Sequence, residues 1–241
     1  MSRLQNYINE SYNATELLPY LKKDCKPFLK ELKKSSPIKF FYRGNRKKNS
    51  SGILKIQSRL DRKPLDTPEL VHNMLNKEFN NKFGWDVRNG IFATSDVAYA
   101  GGYGESSLFF PIGKYEYVWS PVIKDMYDYI GAGDSNYLSE ITDVLYGEYS
   151  NYFIGRLKKM FVRGTSYDGP TSKNIITFEE YKKDYFKKML DDFDNTIKKA
   201  VGTYQSTNMK ASLQKGNEVT FRCKEYYLID NYYEDKLIEL I

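Results

Sequence analysis

The chain has 241 residues, enough to bury a substantial core as one large domain or one domain with an insertion. Hydrophobic residues make up 41% and aromatic residues 16% of it, a composition that excludes a disordered chain. The single histidine, His72, excludes chemistry built on a histidine pair, and the net charge of +6 is a mild bias toward anionic partners.

No apolar run approaches the ~20 residues that cross a bilayer, so no membrane partner is expected. The polar stretch Met1 to Asn13 has no apolar core of the kind that marks a secretory leader. Cys25 and Cys223 lack metal-type spacing, and two free thiols in a reduced, cytoplasmic setting are the simplest account. No carboxylate set compels a metal site. The wealth of Lys, Asn, Tyr and Ile is the composition of an AT-rich genome, such as that of a phage or a low-GC bacterium.

From the N-terminus, Leu17, Leu18, Leu21, Phe28, Leu29 and Leu32 recur among lysines at roughly helical spacing, broken near Pro27. Ser35-Ser36-Pro37 ends that block, and Ile38 to Tyr42 reads as the first strand. Gly44 to Ser51 is a polar, basic loop, followed by a short strand at Ile53 to Ile56. Thr67, Pro68 and Glu69 supply an N-cap, a first-turn proline and an acidic first turn. The helix they open runs to about Lys82, with Leu70, Met74, Leu75, Phe79 and Phe83 on one face and Gly84 as its stop.

Ile91 to Thr94 is the next strand, and Asp96 to Ala100 a short helix ending in Gly101-Gly102. Leu108 to Ile112 and Tyr115 to Trp119 read as a hairpin turning at Gly113-Lys114. Asn136 to Phe161 and Phe178 to Val201 are long, amphipathic and helical, with a turn-rich loop from Gly164 to Lys173 between them. Ser212 to Asn217 is a polar loop. Strands return at Glu218 to Cys223 and Tyr226 to Ile229, and Glu234 to Ile241 is a closing helix. Strands at both ends around a helical block indicate an α+β domain.

Three of these strands end or begin on polar residues that a buried strand has no use for. Arg43 ends the first, in Phe40-Phe41-Tyr42-Arg43-Gly44, and its forked, permanently charged head suits a diphosphate or a carboxylate. Thr94, Ser95 and Asp96 end the second, where they serve as a helix N-cap or as hydroxyls that position a carboxylate. Glu218 opens the third, as a solvated strand-end residue or as a catalytic acid.

Taken in order, the three resemble the Arg-Ser-Glu signature of the ADP-ribosyltransferase superfamily, in its cholera-toxin-like branch. Tyr42-Arg43-Gly44 matches the aromatic-Arg-Gly element, Ala93-Thr94-Ser95 the Ser-Thr-Ser-like element, and Glu218-Val219 the catalytic glutamate with its following valine. Ala93 stands where the family usually has serine. Gly216 stands where members that modify arginine carry a second Glu or Gln, which argues against arginine as acceptor.

The resemblance covers about residues 38–125 and 212–230. It implies a split mixed β-sheet core at 37–130 and 210–241, within a single domain of 241 residues. An N-terminal helical cap at 1–36 and a helical insertion at 131–209 lie outside it. It further implies NAD as substrate, bound by Arg43, Gly44, Thr94, Ser95, Tyr99 and Tyr103. Glu218, Ser95 and Arg43 would be the catalytic set, and Gln214, Lys215 and Asn217 an acceptor loop. The acceptor would be a nucleic acid or a host protein. A glycohydrolase with water as acceptor and a non-catalytic basic binding module stay open beside it. Lys22, Lys23, Lys26, Lys30, Lys33 and Lys34, with Arg46 to Lys48, Arg59, Arg62 and Lys63, form a basic surface that suits RNA or DNA, or else a solvated face. Gly101-Gly102-Tyr103-Gly104 lacks the lysine of a P-loop, and His72 reads as a structural residue.

Overall fold

The computed structural model describes residues 14–46, 52–59, 61, 67–131, 137–147, 151–163 and 177–241. The leader reading at Met1 to Asn13, most of the basic loop to Ser51, the cations Arg62 and Lys63, and the loop at Gly164 to Lys173 lie outside them. The fold is α+β, with a five-stranded antiparallel sheet and helices before, between and after its strands. The chain divides into two compact units. One comprises residues 1–63, 83–125 and 203–241; the other comprises 64–82 and 126–202.

In the first unit, two helices, α1 (Ala14–Asp24) and α2 (Lys26–Leu32), meet at Cys25. Pro27 falls in the first turn of α2, where its missing N–H costs nothing, so the break precedes the proline. The strands are β1 (Tyr42–Asn45), β2 (Ile53–Gln57), β3 (Ile91–Ala93), β4 (Glu105–Trp119) and β5 (Val219–Asp230). Every pairing among them is antiparallel, so the expected mixed sheet is corrected. The expected hairpin within Leu108 to Trp119 is likewise corrected. Gly113, at φ +70°, makes a bulge between Ile112 and Tyr115, and β4 continues through it. A bulge satisfies the glycine's left-handed conformation as well as a turn does, and the long partner β5 holds both halves of β4 in register.

β4 and β5 form a long ribbon. β1 lies on the free edge of β4, while β3 and β2 lie one after the other along the free edge of β5. Yet Tyr42 of β1 exchanges backbone hydrogen bonds with Thr94, just past β3, at 2.7 and 3.0 Å. That pairing closes a circuit of four strands, β1–β4–β5–β3, so the ribbon must curl until its opposite edges meet. The circuit wraps an aromatic core. Phe28 of α2 sits in it with its ring 5.6–6.5 Å from those of Phe41, Phe109, Phe110, Tyr115 and Phe221.

The first unit also holds α4 (Val97–Gly101), α9 (Met209–Lys215) and α10 (Glu234–Leu240). α9 falls on the segment expected to be a polar loop from Ser212 to Asn217, which is corrected. Asn208 caps the helix, and Ser212 and Leu213 turn inward to bury it.

The second unit is helical: α3 (Glu69–Phe83, its last residue aside), α5 (Met126–Gly131), α6 (Tyr137–Tyr146), α7 (Asn151–Arg163) and α8 (Phe178–Gly202). The single helix expected from Asn136 to Phe161 is interrupted, with Gly147 at φ +70° ending α6. α3 was expected within the β-core and instead groups with these helices. Its buried face is Val71, His72, Leu75, Asn76 and Phe79, rotated from the expected one. The turn of that face follows from a polar pair: the His72 ring lies 3.0 Å from the Asn76 amide, so both can be buried. Glu140 and Arg156 form an ion pair within the same unit.

Candidate active site

Register, not sequence proximity, brings Arg43, Thr94 and Glu218 to one end of the curled sheet. Tyr42 is bridged to Thr94, and Arg43 follows it. Ala93 lies opposite Val219, so Thr94 and Glu218 are each one step beyond a paired position. The turn before Glu218 is tied to the end of β3 by the Thr94 hydroxyl, which donates to the Gly216 carbonyl at 2.7 Å. The same oxygen accepts from the Asp96 N–H at 3.1 Å. The Glu218 N–H donates to the Lys124 carbonyl at 2.8 Å, which locks the strand entrance from the other side. Of the two hydroxyls expected to position the carboxylate, Thr94 makes these bracing contacts, and Ser95 lies half-buried beside it.

The Glu218 carboxylate is buried and paired. Arg88 donates to its Oε1 at 3.0 Å, and each side chain is only 11% exposed. Arg88 stands on a single 3-10 turn, Val87–Asn89, and its guanidinium covers the Phe92 ring at 4.5 Å. Arg43 reaches the same residue from β1, donating from Nη1 to the Phe92 carbonyl at 2.8 Å. Two guanidinium groups therefore converge on β3, one on a backbone oxygen and one on a ring face. Tyr204 is buried nearby. Burial first, and then the charge of Glu218, pushes its hydroxyl well above the ordinary phenol range, so it is a neutral hydrogen-bonding group.

α4 closes the other flank. Asp96 caps it, accepting from the Tyr99 N–H at 3.0 Å, as its place before a helix implied. Gly44 allows α4 to lie against β1, since a Cβ there would meet the Ala100 carbonyl at 2.5 Å and Tyr103 at 2.7 Å. Tyr99 is anchored, its hydroxyl donating to Asp125 at 2.7 Å and the Lys124 ammonium lying 5.0 Å from its ring centre. Tyr103 is 51% exposed and meets Tyr99 edge-on at 5.7 Å. Of the two rings, Tyr103 is the more exposed.

The expected acceptor loop does not exist as such. Gln214 and Lys215 are exposed residues of α9, and Asn217 is buried, donating to the Ser120 carbonyl at 2.8 Å. Asn217 anchors the chain ahead of Glu218 and is not free to meet an acceptor. Sequence reasoning also missed Arg88, Lys124, Asp125 and Tyr204. The only local signal was an arginine shortly before β3, since Lys124 and Asp125 lie just ahead of α5 and Tyr204 just past α8. Among the described residues, no group of three His, Cys, Asp or Glu side chains could hold a metal, and no helix is long and apolar enough to cross a membrane. No family model matches the sequence, no curated protein is significantly similar to it, and no solved structure significantly matches its fold.

Proposed function

We propose that the chain cleaves NAD and transfers its ADP-ribose to a macromolecular acceptor. The observation that carries this reading is the convergence of Arg43, the Thr94–Ser95 pair and Glu218 at one end of the sheet, through the Tyr42–Thr94 bridge and the Ala93–Val219 register. Arg43 spends one N–H on Phe92 and keeps further donors for a diphosphate. Glu218, paired with Arg88, faces the cation that develops on the ribose as the bond to nicotinamide breaks. The bonding electrons leave with nicotinamide. The acceptor nucleophile attacks the anomeric carbon, and its proton passes to solvent or to the carboxylate. The exposed Tyr103 is the ring expected to meet nicotinamide.

The test is nicotinamide release from NAD by the wild type and by Glu218→Gln and Arg43→Ala. A loss of roughly 100–1000-fold in the glutamate variant is expected, and equal rates in wild type and Glu218→Gln would end the assignment. With biotin-tagged NAD, label on a macromolecule marks transfer, whereas free ADP-ribose alone marks a glycohydrolase.

A second reading rests on a specific observation. The carboxylate already has a buried cationic partner, and Arg88–Glu218 is also what a purely structural ion pair looks like. A non-catalytic binding module would then show no NAD turnover in any variant.

A further inference from the structure

We infer that the outer faces of α2 and α9 form a docking surface for nucleic acid, and that nucleic acid is the acceptor class. The second half of that statement rests on the transfer reading above; the first half does not.

In α2, Phe28, Leu29 and Leu32 are buried, which leaves Lys26, Lys30 and Lys33 along the opposite, exposed face. Spacings of four and three residues put successive lysines about 4.5–6 Å apart along the axis. Lys22, on α1 and four residues before Lys26, is exposed ahead of this row. Lys34 is held by Glu31. Asp24 accepts from Tyr227 and is half-buried, so it offers the outer face little opposing charge.

α9 packs beside α2 and adds exposed Lys210 and Lys215. Lys215 is followed by Gly216, the residue whose carbonyl Thr94 holds, and two residues later by Glu218. The lysine-rich surface therefore leads to the proposed reaction centre along the chain itself. A spaced row of long, flexible ammonium groups with no forked arginine recognises uniform charge, not shape. It fits a phosphodiester backbone, whose binding is sequence-independent and driven by counterion release.

The experiment measures binding of the full chain to a fluorescein-labelled single-stranded oligonucleotide of about 20 nucleotides, longer than one typical footprint. Fluorescence anisotropy is read across a salt series, without NAD. Wild type is expected to bind with an affinity that falls steeply with salt. Lys26→Gln, Lys30→Gln, Lys33→Gln and Lys210→Gln combined should weaken binding at least tenfold and flatten the log–log salt slope by about 3. The same four positions changed to arginine should restore binding, which separates lost charge from lost folding. Glu218→Gln should bind like wild type.

Absence of binding at about 50 mM salt, or full binding by the glutamine variant, overturns the surface. Exclusive labelling of protein by biotin-tagged NAD in a cell extract overturns nucleic acid as acceptor. Nicotinamide release is measured separately, so a chain that turns over NAD but binds no oligonucleotide loses only this inference. A chain that binds but has no turnover loses the enzymatic reading and nucleic acid as acceptor with it, and keeps the docking surface.

Discussion

Glu218 and Arg88 are the residues on which most turns. A carboxylate this deeply buried needs compensation, and the Arg88 guanidinium supplies part of it, so removing that cation alone is costly. Arg88→Met is expected to cost about 3–5 kcal/mol by urea unfolding. Arg88→Met combined with Glu218→Gln should recover most of that loss, and a double variant no more stable than the single would show that the two do not interact. Asp96 makes a smaller, pH-dependent contribution. The Tyr99 N–H, and then the Lys124 charge, hold its carboxyl below the ordinary carboxylate value. A depressed folded-state value means that its stabilisation is complete above the ordinary carboxylate pKa and fades as pH falls through the folded one. Asp96→Ala should cost about 1 kcal/mol at neutral pH, through the lost cap of α4. The wild-type advantage over it should shrink as pH falls below the ordinary carboxylate range, as measured by thermal unfolding across pH. The cap could be read from sequence, because an aspartate ahead of a helical run has a local role. The ion pair could not, because its two halves lie far apart in the chain.

At the scale of elements, the packing of β1 against α4 depends on Gly44. Gly44→Ala would press a methyl into the Ala100 carbonyl and Tyr103, and backbone does not yield as a side chain does. A loss of about 1–3 kcal/mol is expected, together with weaker binding of any ligand that uses Arg43 or Tyr103, read by denaturant unfolding and ligand titration. Phe28 is the corresponding point on α2, touching five rings of the sheet core. Phe28→Ala should cost about 3–5 kcal/mol. Both short helices at the N-terminus, the helix closed by Gly84 and the closing helix were legible from periodicity and capping residues. The turn placed at Gly113-Lys114 was not a turn, because a glycine with positive φ serves a bulge equally well and only the strand alongside decides. α9 was missed for a related reason: Met209 to Lys215 is short and polar, and tertiary burial of Ser212 and Leu213 supplies what its own periodicity lacks.

For the molecule as a whole, burial governs how the chain meets reagents. Cys25 and Cys223 both lie in the core of the first unit, and burial pushes the Cys223 thiol up to about 11 and that of Cys25 higher. Neither should react with a thiol-specific disulfide reagent at pH 8 until the chain unfolds, and prompt labelling of the native protein would contradict this core. The sequence by itself determined the α+β class, the central helical block and the positions of the polar residues on strands, because those follow from local periodicity, capping and composition. Whether the strands that carry Arg43, Thr94 and Glu218 meet, how the sheet curls to join its two edges, and which cation faces the buried carboxylate were decided only by the tertiary structure. Strand pairing and charge pairing are contacts between distant segments, and each segment on its own is compatible with several partners.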